Sequence, residues 1–110
     1  TFIPNLLPVF NGIQSTIYLS KNNLDESDVL NVLQNFYKKE PFIKFFKNEE
    51  IPKLSDIRGT NNVALKVFTD YAKKKIIIIS CIDNLIKGAA GQAIQNMNLM
   101  FDFNETQALI

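Results

Sequence analysis

Two apolar segments, residues 63–68 and 75–82, are joined only by the six residues "TDYAKK". That spacing constrains the fold more than any other feature. Both segments are rich in Val, Ile and Phe, as strands are, and parallel neighbours would need a crossover of a dozen or more residues between them. They are therefore expected to form an antiparallel hairpin.

The rest of the chain is read around that pair. Residues 12–20 alternate, with Ile13, Ile17 and Leu19 on one side and Gln14, Thr16 and Tyr18 on the other, the period of a half-buried strand. Next, "NNLDESD" offers cap residues and first-turn carboxylates, and Val29, Val32, Leu33 and Phe36 recur at i, i+3, i+4 and i+7. This predicts a helix over about residues 25–39, stopped by Pro41. "FIKFFK", residues 42–47, is a short aromatic strand, and the polar loop 48–62 after it is long enough to suggest function. A closing helix over about residues 84–101 completes the order β-α-β-β-β-α. Helices are too few to cross over between all the strands, so the sheet should be mixed and largely antiparallel with both helices on one face, an α+β domain. The 110 residues, 46% of them hydrophobic, suffice for one core and are too few for two ordinary domains.

Composition removes whole classes of chemistry. Without a histidine, neither a His-ligated metal nor a Ser-His or Cys-His pair can be built from these residues. The one cysteine, Cys81, excludes an internal disulfide and a Cys-cluster zinc site, and its place in "IIIISCID" predicts a buried core thiol. This usage suits a reducing, cytoplasmic setting. A net charge of +1 offers no field to gather nucleic acid or an anionic membrane, and "AKKK" (72–75) reads as a solvated turn. The longest apolar run, "IIIISCI", is far short of the ~20 residues of a membrane helix. The chain opens on "TFIPNLLPVF", interrupted by Pro4 and Pro8 and lacking the basic start of a signal peptide, so it reads as a piece of a longer chain.

The closing helix carries an oddity. Its segment "DNLIKGAAGQAIQNMN" holds Gly88 and Gly91 where each costs about 1 kcal/mol relative to alanine. On a helical wheel Ile86, Ala90, Ala93, Ile94, Met97 and Phe101 form an apolar stripe expected to face the core. Asn84, Gly88, Gly91, Gln92 and Gln95 form a small, polar face. Such a face admits either tight packing by a neighbouring element or close approach by a flat or phosphorylated ligand. The spacing G-x-x-G is not the G-x-G-x-x-G that opens a dinucleotide-binding βαβ unit.

This segment resembles the C-terminal helix of the N-acetyl-γ-glutamyl-phosphate reductases, members of the semialdehyde dehydrogenase superfamily. "FIPNLLPVFNGIQSTIYL" is similar to their strand-entry motif, "RGTNN" to their glycine-asparagine loop and "ETQALI" to their carboxyl end, so the resemblance spans the chain. It implies a single domain over residues 1–110, with the fold of the glyceraldehyde-3-phosphate dehydrogenase C-terminal domain. This would be the catalytic and dimerisation half of a longer subunit whose Rossmann domain and nucleophilic cysteine lie outside these residues. The implied reaction is reduction of N-acetyl-γ-glutamyl phosphate by NADPH to the semialdehyde with release of phosphate, in a homo-oligomer. Alternatives are a non-catalytic dimerisation domain, or a reductase of an aspartyl or aminoadipyl phosphate.

By the same resemblance Asn84, Lys87 and Gly88 lie beside the cofactor. Asn5 and Asn11 stand where the family usually has an acid/base histidine and a substrate-binding arginine, and Arg58, the one arginine here, is the candidate to compensate. Asparagine cannot shuttle a proton near neutral pH, and such help is typically worth ~10²–10⁴ in rate.

Overall fold

In this computed structural model, which describes residues 1–47, 50–72 and 74–109, the elements are β1 (Ile13–Ser20), α1 (Glu26–Phe36), β2 (Ile43–Phe45), β3 (Val63–Asp70), β4 (Lys75–Ile82) and α2 (Gly91–Met100). Asn48 and Glu49 of the long loop, Lys73 of the lysine run and Ile110 at the carboxyl end lie outside the described residues. The hairpin expected from the six-residue connection is present, with Val63 opposite Ile82 and Asp70 opposite Lys75 in antiparallel register. β1 joins the other edge of β4, also antiparallel, and β2 runs parallel to β3, giving the mixed order β1-β4-β3-β2.

Register decides what each face carries. Ala64 faces Cys81, Lys66 faces Ile79 and Phe68 faces Ile77, so these side chains share one side of the sheet. Against that side the long loop folds back and presents Ile57, which joins Ala64, Ile79 and Cys81 in a buried cluster flanked by Phe46, Leu54 and Phe68. Ile57 and Ile79 each contribute about 1.5–3 kcal/mol by leaving water. The loop is thus a core lid through Pro52, Leu54 and Ile57, and its segment Arg58–Gly59 reaches the candidate site described below. Cys81 is fully buried, as its setting predicted.

α1 packs on β3. The carboxylate of Asp28 accepts from the Asp25 backbone N–H, and Lys21 pairs with Asp25 at 2.8 Å. The helix ends at Phe36, earlier than expected, and its stripe is only partly used. Val29 and Leu33 are half-buried, whereas Val32 and Phe36 are exposed.

The closing helix departs furthest from expectation. Residues Ile86–Ala90 form a π-turn, with the Gly88 N–H donating to Asp83 O and the Ala90 N–H to Leu85 O, before the regular α2 begins. Of the apolar stripe, Ala90, Ala93, Met97 and Phe101 are exposed and Ile86 and Ile94 half-buried. The buried face is instead Gly91, Gln95 and Asn98. Amides can pack inward here because each finds partners. Gln95 accepts from Asn61 and Lys87 and donates to Glu105, and Asn98 donates to the carbonyls of Glu105 and Gln107. Among the described residues no helix is long and apolar enough to cross a membrane.

The two glycines therefore have different reasons. A Cβ on Gly91 would overlap Asn61 Oδ1 and come within 2.7 Å of Ile86 Cγ2, so side-chain absence there is required by packing. A Cβ on Gly88 would meet nothing closer than Ile82 Cδ1 at 3.5 Å, an ordinary contact. In urea unfolding, Gly91→Ala should destabilise by about 1–2 kcal/mol, overpacking outweighing the helix gain. Gly88→Ala should be neutral or stabilise by up to about 1 kcal/mol.

Candidate functional site

Ile13 pairs with Ile82, so the chain enters β1 and leaves β4 at the same end of the sheet. There the ladder continues through side chains. The Asn11 amide Nδ2 donates to Asp83 Oδ2 at 2.5 Å, and the Gly12 N–H donates to Asn84 Oδ1 at 2.5 Å. The end of the long loop completes the cluster. The Gly59 N–H donates to Asp83 Oδ2 at 2.8 Å, and Arg58 Nη2 donates to the Asn11 carbonyl at 3.3 Å. Gly12 and Gly59 lie at φ of +124° and +80°, which side chains rarely adopt, so the two backbone donors depend on glycine.

Asp83 is the centre of this arrangement and is only 1% exposed. Its oxygens divide the work. Oδ1 accepts from the Leu85 and Ile86 N–H groups and caps the turn that starts the last helix, while Oδ2 holds Asn11 and Gly59. Burial opposes its ionisation, but the Gly59, Leu85 and Ile86 N–H groups and the Asn11 amide outweigh that and hold its carboxyl below the usual range.

Of the residues expected to carry function, Asn11, Arg58 and Asn84 are thus brought together. Because Asn84 Oδ1 is occupied by Gly12, its amide orientation is set and Nδ2 is left without a partner among the described residues. The half-buried residue therefore presents donors. The exposed Arg58 likewise uses one nitrogen on Asn11 and leaves the rest of its fork open among the described residues. Gly88 is exposed one turn further on.

Lys87 and Asn5 stand apart from these bonds. Lys87 Nζ donates to Gln95 Oε1 at 2.8 Å and lies 5.4 Å from the centroid of the Phe42 ring. Burial pulls its ammonium below the usual lysine range, against Glu105 and Glu40. Asn5 sits in an exposed stretch and donates to the Ile3 carbonyl, at 3.4 Å. Burial, with Asp56 nearby, raises the Cys81 thiol above its ordinary value, which keeps it protonated and unsuited to nucleophilic attack.

Asp83 and Gly12 were missed as site residues in the sequence. The available signal was the pair Asp83-Asn84 directly after a strand whose antiparallel partner begins just after Asn11-Gly12. Among the described residues no group of three or more His, Cys, Asp or Glu could hold a metal ion.

The fold agrees with known proteins. The family model of the semialdehyde dehydrogenase dimerisation domain matches residues 1–84, and the chain belongs to that family. Within it the chain is similar to N-acetyl-γ-glutamyl-phosphate reductases. The enzyme of Caldicellulosiruptor bescii is 50% identical over 111 aligned residues, taking in 100% of this chain and 32% of that protein. The one from Methanosphaera stadtmanae is 44% identical, over 99% of this chain and 32% of that protein. Among solved structures, aspartate semialdehyde dehydrogenase II of Vibrio cholerae in complex with ASA superposes with a TM-score of 0.68 at 25% identity, covering 87% of this chain and 29% of that one. The chain thus spans about a third of the length of the relatives it matches.

Loss of the Asp83 charge should be visible as pH-dependent stability. Near neutral pH, Asp83→Asn should lower the unfolding free energy by about 1.5–3 kcal/mol, the worth of hydrogen bonds to a charged group. A carboxyl held low in the folded state stabilises above its unfolded value of ~3.9, and that contribution is lost as the pH falls through the folded value. Chemical unfolding across an acid series should therefore show a constant gap between wild type and variant down to about pH 4 that closes below it.

Proposed function

We propose that the full-length protein reduces N-acetyl-γ-glutamyl phosphate to N-acetylglutamate semialdehyde with NADPH, releasing phosphate, and that this domain supplies part of the substrate and cofactor site. The observation that carries the reading is the 50% identity, over the whole chain, with a protein named for that reaction. The cluster at the β1–β4 end supports it, since it offers an open arginine fork for an anion and an oriented amide donor beside it.

The residues present fit a nicotinamide. Asn84 Nδ2 has no protein partner among the described residues and would donate to the carboxamide oxygen, and the bare backbone at Gly88 lets a flat ring approach. When bound, the cofactor supplies hydride. Lys87 is engaged by Gln95, so we assign it to holding α2 rather than to direct contact. Arg58 and Asn11 bind the anionic substrate, the arginine through its free nitrogens. Asn5 has no proton to exchange near neutral pH, so proton transfer falls to water or to a group outside these residues.

Assembly of two copies in the cytoplasm belongs to the same reading. It is supported by the family's description as a dimerisation domain. It is also supported by β1, an edge strand exposed along all eight residues and free of charge and proline.

The test is turnover by the full-length protein of N-acetylglutamate semialdehyde, phosphate and NADP⁺, with aspartate semialdehyde as the competing substrate. Turnover of only the latter, or of neither, sinks the assignment. Asn84→Asp keeps an oxygen for the Gly12 N–H and removes the donors. It should raise the cofactor KM about tenfold, a loss of about 1.4 kcal/mol, with Tm unchanged. An unchanged KM would remove Asn84 from the cofactor site.

A further inference from the structure

The division of labour between the two oxygens of Asp83 points to a role beyond capping. We infer that Asp83 is a positioning residue that couples the substrate side of the site to the cofactor side, through the Asn11-Gly12 segment. The inference rests on the reading above for what the two sides bind, and on geometry alone for how they are joined.

Three consecutive pairs meet at one point: Asn11-Gly12, Arg58-Gly59 and Asp83-Asn84. Among the described residues Asp83 Oδ2 is the only acceptor that touches two of the other segments, taking Asn11 Nδ2 at 2.5 Å and the Gly59 N–H at 2.8 Å. Each contact sets the residue beside it. Holding Gly59 places Arg58, whose guanidinium then reaches the Asn11 carbonyl. Holding Asn11 places the Gly12 N–H, which takes Asn84 Oδ1 and leaves the donor end of that amide outward. One buried carboxylate oxygen therefore orients the cation on one side and the amide on the other.

The capping function is separable from this one. Asparagine is as good a helix cap as aspartate, so in Asp83→Asn the remaining oxygen keeps the Leu85 and Ile86 N–H groups. The new amide N–H₂ then faces the Asn11 and Gly59 donors, and the bridge is cut by donor opposing donor. If Asp83 were only a cap, the variant would be kinetically silent.

Kinetics of the full-length protein well below its Tm decide between these. Asp83→Asn should raise both the cofactor KM and the KM of the anionic substrate, each by about tenfold. Arg58→Ala should raise only the second and Asn84→Asp only the first. Asn11→Asp added to Asp83→Asn restores a donor–acceptor rung with its polarity reversed and should recover part of the cofactor loss, while its own carboxylate keeps the KM of the anionic substrate high. Both KM values within twofold of wild type, or a change in one alone, would overturn the inference. If the wild type shows no reductase turnover, the functional reading fails and the coupling is judged on a crystal structure of Asp83→Asn. Loss of both the Arg58–Asn11 and Gly12–Asn84 bonds sustains it; retention of either overturns it.

Discussion

The hydrogen bonds accepted by Asp83 are the constraint on which the candidate site of this domain depends. β1 and β4 are far apart in the chain, and their backbone ladder ends at Ile13 and Ile82. Beyond that rung two loops and the start of a helix would diverge. A carboxylate placed one residue past the strand holds all three, because one charged group can accept four hydrogen bonds while leaving water. Its burial would be costly without those donors, and with them the ionised form is favoured.

The last helix extends the same logic. Its apolar stripe is not its packing face, since Gly91, Gln95 and Asn98 turn inward onto Asn61, Lys87 and the carboxyl-terminal turn around Glu105. Gly91 lets the helix approach Asn61 closely enough for Gln95 to reach its amide. The bonds of this network are directional, so they set the rotation of the helix about its axis as well as its distance from Asn61. The π-turn ahead of it shifts the phase between residues 86–90 and α2, and leaves Gly88 exposed while Gly91 is buried.

Much of the architecture could be read from residue order. The short link between two Val/Ile segments required the hairpin, alternation marked β1, and the scarcity of helices implied a mixed sheet, all of which the structure contains. The candidate site was legible residue by residue and not as a constellation. Asn11, Arg58 and Asn84 were singled out, but Asp83, which joins their segments, was not, and the ammonium of Lys87 lies on Gln95. The helical wheel failed for a definite reason: it ranks faces by hydropathy, and here the amides are satisfied by groups outside the helix, Asn61 in the long loop and the carboxyl-terminal turn.

The sequence by itself determined the strands, their antiparallel hairpin, the buried thiol and the chemistry that cannot occur without histidine, because these follow from local periodicity, loop length and composition. Only the tertiary structure decided which face of the last helix is buried, that the long loop is a core lid, and that one carboxylate joins three segments. Those outcomes depend on which donor meets which acceptor across as many as 72 positions of chain, and no local pattern encodes a pairing at that range.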